Sequence, residues 1–202
     1  MKLKYRKKRP LNRDREHFKD TKLFIIATEG SDTEKQYFEI FNSTRVQVII
    51  VESINGRSAP QYVLDRLVEI SKEFDFGEGD EFWLMIDVDR WGRRRLAEVA
   101  RLVISKGWES AISNPCFEVW LLMHFANPED NSFRCKDVVR QLKSEIGSYG
   151  KSRLAIDVFK PHYKRAIHMA KERDEGPNDR WPQNINSYVY KVVENILEYS
   201  TK

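Results

Sequence analysis

The sequence predicts an α/β protein, a parallel sheet flanked by helices and followed by a mainly helical C-terminal part. Three observations carry that expectation. Apolar runs such as Leu23-Phe24-Ile25-Ile26-Ala27 and Phe82-Trp83-Leu84-Met85-Ile86 do not alternate with polar residues, the pattern of strands covered on both faces. Strand-like and helix-like segments take turns four times between residues 23 and 113, the order that builds parallel sheets from crossover units. Beyond Pro115 the apolar spacing is mainly helical.

The first strand, Leu23 to Thr28, ends at Glu29-Gly30. Ser31-x-x-Glu34 then fits a capping box that opens a helix reaching about Phe41, with Tyr37, Phe38 and Phe41 on its apolar side. Val46 to Val51 is the second strand. Pro60 suits the first turn of a helix whose apolar face is Val63, Leu64, Leu67, Val68 and Ile70. The third strand carries Asp87-x-Asp89 at its end. Gly92 to Ser105 has helical spacing at Leu96, Val99, Leu102 and Val103, and a short strand at Ser110–Ser113 runs into Asn114-Pro115. Helices are expected over 116–126, 136–146, 161–174 and 186–199, with Pro161 in a first turn and a loop at 174–179. The resulting organisation is a basic arm (1–20), an α/β core (21–126) and a helical extension packed on it (127–202).

The 202 residues are 41% hydrophobic and 12% aromatic, enough for a sizeable core. No apolar run approaches the roughly 18 residues of a membrane span. The basic start is not followed by the apolar segment of a secretory signal. Cys116 and Cys135 show neither CxxC pairing nor nearby histidines, which argues against a structural zinc and a disulfide framework and favours reduced thiols in the cytoplasm. Residues 1–20 hold nine Lys/Arg against three acids, a net of +6, so the chain's total of +4 leaves the body at −2. The arm, Lys7, Lys8 and Arg9 in particular, is suited either to neutralising phosphates or to solubilising the chain.

Side chains alternate along a strand, so Asp87 and Asp89 are expected on one side of the third strand. Two like charges so placed repel unless a cation or an arginine lies between them. Glu29 occupies the corresponding end of the first strand. If the two strands are neighbours, three carboxylates converge at the edge where open α/β sheets bind ligands. Such a set suits Mg²⁺ or Mn²⁺, which in phosphodiester chemistry polarises the phosphoryl group and activates water.

Glu29-Gly30 after a buried strand, with Asp87-x-Asp89 after a later one, resembles a Toprim domain. Ala27-Thr28-Glu29-Gly30-Ser31-Asp32-Thr33-Glu34-Lys35-Gln36-Tyr37-Phe38 is similar to the opening motif of the RloB-like family of phage-defence proteins. Asn114-Pro115-Cys116-Phe117-Glu118-Val119-Trp120 is similar to that family's NPxFE-x-W signature. Where the family tends to carry an NPST-like element before its last helix, this chain reads Asn184-Ile185-Asn186-Ser187. The resemblance spans about residues 20–200. It implies a Toprim-like (Rossmann-like) core and a metal-dependent nuclease acting with a partner ATPase, with Glu29, Asp87 and Asp89 as metal ligands and Glu118 assisting catalysis.

Other residues admit two readings. Glu34 is a capping residue or a ligand, and Glu118 a site residue or a carboxylate favoured by its helix dipole. Asn114 binds substrate or caps a helix; His124 is expected as a packed polar tip. Arg90, Arg93, Arg94 and Arg95 grip phosphates or form a solvated face, and Trp91 stacks on a base or packs in the core. Lys160, His162, Lys164 and Arg165 offer a second basic patch. The substrate is DNA or RNA, with tRNA included, and an oligomer is compatible with the sequence. A haloacid-dehalogenase-type phosphatase fits less well, because its DxD lies on an early strand, and a receiver domain would need a late-strand lysine. The alternative outside enzymes is a nucleic-acid- or ATPase-binding module with a degenerate site.

Overall fold

The computed structural model describes residues 21–30, 32–52, 59–72, 77, 79–88, 91–129, 134–174, 176 and 179–201. Strands β1 (Lys22–Thr28), β2 (Val46–Val51), β3 (Glu81–Asp87), β4 (Glu109–Asn114) and β5 (Asn186–Ser187) form one five-stranded sheet in the order β2-β1-β3-β4-β5. The first four are parallel, and β5 runs antiparallel to β4. The α/β sheet and its helical second part thus match the expectation, and β1 and β3 are direct neighbours, with Ala27 opposite Leu84 and Thr28 opposite Met85.

Alternation along the strands divides the core into two layers. Leu23, Ile25, Ala27, Leu84 and Ile86 meet α2 (Pro60–Ser71) and α3 (Arg93–Ser105) through Leu64, Leu67, Leu96 and Val99. Phe24, Ile26, Trp83 and Met85 face the other way. They share a core with α1 (Thr33–Phe38), α4 (Glu118–Met123), α5 (Cys135–Ile146), α7 (Tyr163–Glu172) and α8 (Val189–Thr201). A short α6 (Ile156–Phe159) adds Phe159 to this layer. Residues from both halves of the chain fill this second layer, so the sheet does not bury its face without the C-terminal helices.

Several boundaries differ from the sequence reading. The first helix covers six residues and continues as a 3-10 turn at Glu39–Phe41. Asp32 holds its N-cap position without a side-chain cap bond, and Ser31 lies outside the described residues. Leu102 faces solvent and Ala100 takes the buried position. The helix expected over 161–174 is preceded by α6 and a 3-10 turn, Lys160–His162, in whose first turn Pro161 sits. The helix expected from 186 starts at Val189, because Asn186 and Ser187 add to the open edge of β4. Ser187 Oγ lies 2.8 Å from Ser113 Oγ, and Asn186 donates to the Ala170 carbonyl at 3.0 Å.

The cysteines correct a further expectation: Cys116 and Cys135 form a disulfide, with their Cα atoms 5.6 Å apart. The sequence shows no pairing because the two half-cystines become neighbours only when α5 packs on α4. Among the described residues no helix is long and apolar enough to cross a membrane.

Candidate functional site

The carboxyl ends of β1 and β3 open into a cleft of about 200 Å³ lined by Glu29, Gly30, Asp32, Thr33, Glu34, Asp87, Phe117, Glu118 and Lys151. Trp83, Met85 and Asp87 share one side of β3, the side covered by α1 and α4, so strand periodicity itself directs Asp87 into the cleft. Glu29 follows β1, its backbone N–H still bonded to the Met85 carbonyl at 3.2 Å. Its Oε2 accepts from the Asp87 backbone N–H at 3.3 Å and from the Trp91 indole N–H at 3.1 Å. Two donors on one oxygen fix the rotamer and hold Glu29 against the end of β3.

Gly30 makes the next carboxylate possible. A Cβ at this position would lie 2.4 Å from Glu34 Oε2, so only glycine lets the Glu34 carboxylate settle on the turn. Thr28 Oγ1 donates to the Gly30 carbonyl at 2.7 Å and shapes that turn. Glu34 is 7% exposed. Burial, with the Glu118 charge adding to it, pushes its pKa up to about 7 against the pull of its own and Gly30's backbone N–H groups and of Lys151. Glu34 lines the cleft, while the Ser31 end of the expected capping box lies outside the described residues.

Glu118 enters from α4. It is 3% exposed, and its Oε1 receives the Tyr149 hydroxyl at 3.0 Å and Lys151 Nζ at 2.8 Å. Lys151 sits on a loop clamped by α1. Its carbonyl accepts from Thr33 Oγ1 at 3.1 Å and Gln36 Nε2 at 3.2 Å, and Gln36 Oε1 receives the Leu154 N–H at 2.8 Å. The helix that contributes Glu34 thus also aims the lysine.

The structure lines one cleft with Glu29, Asp87 and Glu118, although their carboxylate oxygens do not gather within 4.8 Å of one another. Asp89, Arg90, Lys7, Lys8 and Arg9 lie outside the described residues. Arg93, Arg94 and Arg95 are exposed at the start of α3 and do not line the cleft; Arg94 pairs with Glu98 at 3.2 Å. Trp91 is half-buried, packs against the core layer that α2 and α3 share with the sheet, and is a donor to Glu29. Asn114 caps no helix; its amide donates to the Pro182 and Gln183 carbonyls at 3.0 and 3.1 Å. His124 is wholly buried, with Nε2 3.1 Å from the Tyr37 hydroxyl and Nδ1 2.9 Å from the Trp120 carbonyl. Sequence reasoning missed Lys151, Tyr149, Asp32 and Thr33. Lys151 is one of 35 Lys/Arg and stands in no motif, so only the fold of its loop singles it out.

Among the described residues the lining includes five carboxylates, Glu29, Asp32, Glu34, Asp87 and Glu118, against the ammonium of Lys151. Such an excess of negative charge, partly buried, favours either protonation or a cation. The donors are oxygens, which suit a hard divalent ion. In donor type these residues therefore suit Mg²⁺ or Mn²⁺, although no three of them gather their oxygens within 4.8 Å of one another.

A family model described as RloB-like protein matches residues 24–196. No curated protein and no solved structure matches the chain.

Proposed function

The chain belongs to the RloB-like family, and from that premise we propose that it is a divalent-metal-dependent nuclease of the Toprim type. The observation that carries this reading is the convergence of Glu29, Glu34, Asp87 and Glu118 in one cleft with Lys151 beside them. Glu29 and Asp87, with Asp89 after them, are the residues that would hold Mg²⁺ or Mn²⁺. When bound, the ion supplies charge stabilisation to the phosphoryl oxygens and lowers the pKa of an attacking water.

The chain's own groups do the rest. Trp91 and the Asp87 backbone orient Glu29 through the two bonds to its Oε2. Lys151 adds positive charge where a phosphodiester becomes more negative in the transition state. Glu34, with its pKa pushed up to about 7 by burial, suits proton transfer to a leaving oxygen. Arg93 and Arg94, exposed at the start of α3, suit contact with the nucleic-acid backbone. The family resemblance supports a cytoplasmic role in phage defence beside a partner ATPase.

The experiment is a cleavage assay on single- and double-stranded DNA, bulk RNA and tRNA with Mg²⁺, Mn²⁺ or chelator, run alone and with the ATPase encoded nearby. Metal-dependent cutting that Asp87→Ala abolishes is the expected result. No cutting in any arm, together with no metal binding by calorimetry, would replace this reading with a binding module.

A further inference from the structure

Beside the carboxylate cleft lies a second group of ligand atoms of different chemistry. Cys116 follows β4, Glu118 opens α4 and Cys135 opens α5; one ligand atom of each lies within 4.8 Å of the other two. Cys116 and Glu118 are buried, and Cys135 is half-buried and so reachable from solvent.

Glu118 is divided between the two sites. Its Oε1 is held by Lys151 and Tyr149 at the cleft. Its Oε2 points the other way, 3.3 Å from Cys135 Sγ. A disulfide sulfur carries no proton, so this contact is not a hydrogen bond in the oxidised chain. A buried carboxylate oxygen set against sulfur calls for a proton or a cation.

We propose that Cys116, Cys135 and the Oε2 side of Glu118 form a binding site for a thiophilic divalent cation, Zn²⁺, once a dithiol reductant has opened the disulfide. The reductant delivers two electrons and two protons, becomes a disulfide itself and leaves two thiols. Zn²⁺ then displaces both thiol protons and bonds two thiolates and the carboxylate.

Distances and charge agree with this. Zinc–sulfur and zinc–oxygen bonds of about 2.3 and 2.0–2.2 Å in tetrahedral geometry put ligand atoms roughly 3.5–4 Å apart. Separating the sulfurs from bonding contact to that spacing needs side-chain rotation, and ligand atoms gathered within 4.8 Å are already close to it. Two thiolates and one carboxylate leave a bound Zn²⁺ with one excess negative charge, which the Lys151 ammonium at 2.8 Å from Oε1 offsets. Sulfur ligands select zinc over magnesium, so the two sites sort different metals. The device couples the cleft to thiol redox state, because zinc and the lysine then hold Glu118 from opposite sides.

The test uses the full chain, oxidised and reduced, titrated with Co²⁺ as a spectroscopic stand-in for zinc. The reduced chain should develop a thiolate-to-cobalt charge-transfer band and strong visible bands at one equivalent, and added Zn²⁺ should erase them. The oxidised chain should show no such band, and Cys135→Ser, left with one sulfur ligand, a much weaker one. Glu118→Gln should weaken cobalt binding at least about tenfold. Asp87→Ala should keep the band, since cobalt at an all-oxygen site gives no thiolate transition, and this separates the inference from the nuclease reading. A reduced chain with two titratable thiols and no band would overturn the site. A band unaltered by Glu118→Gln would overturn the carboxylate's part in it.

Discussion

Lys151 Nζ stands 2.8 Å from Glu118 Oε1, an ammonium two-thirds exposed reaching a carboxylate that is 4% exposed in its side chain. The loop that carries the lysine has no apolar anchor at that residue; α1 holds it through Thr33 and Gln36. Water can replace the lysine's charge far more easily than it can replace the Tyr149 hydroxyl on the same oxygen.

That asymmetry separates stability from activity. Lys151→Met is expected to cost at most about 1 kcal/mol of stability yet reduce cleavage about tenfold or more. Tyr149→Phe removes a hydrogen bond to a buried charge and should cost about 2 kcal/mol. Urea unfolding and single-turnover cleavage of the two variants check the order. The reverse order would show that Lys151 is merely structural.

Trp91→Phe keeps a ring against the same core layer but deletes the indole donor to Glu29 Oε2. Metal affinity should fall about tenfold, the size of effect expected when a ligand loses its orienting partner. Calorimetric titration with Mn²⁺ measures this directly. Unchanged affinity would remove Glu29 from the proposed ligand set.

Glu34 links the cleft to pH. Burial raises its pKa from 4.5 to about 7, so the folded chain holds this proton more tightly than the unfolded chain. The stability it contributes is complete below pH 4.5 and lost as pH rises through 7, about 3 kcal/mol in all. In chelator, wild type should therefore weaken over this range while Glu34→Gln stays comparatively level. Divalent cation should restore the wild type at high pH if the carboxylate belongs to the metal cleft.

His124 acts with the opposite sign. Burial lowers its pKa from 6.5 to about 4, so the ring stays neutral in the folded chain while the unfolded chain takes up a proton. Its contribution is present above pH 6.5 and lost as pH falls through 4. The Trp120 carbonyl 2.9 Å from Nδ1 assigns the ring proton there, leaving Nε2 to accept from Tyr37. NMR should find a neutral ring at pH 5; an imidazolium signal at that pH would contradict the packing described. Tyr37→Phe should cost about 1–3 kcal/mol by leaving Nε2 without its donor.

Periodicity by itself marked the parallel strands and the carboxylates at two of their ends. Unbroken apolar runs marked β1 and β3, their polar ends marked Glu29 and Asp87, and alternation oriented Asp87, because these patterns are local consequences of strand geometry. Tertiary structure decided what no local pattern encodes. Glu34 became a cleft residue because Gly30 lets its carboxylate approach. Lys151 and Tyr149 reached Glu118 because α1 clamps their loop. Asn186 and Ser187 joined β4 because that edge offered backbone groups to pair. Cys116 met Cys135 because α5 lies on α4. Each is a contact between residues distant in the chain, fixed by how the layers pack and so not legible from spacing.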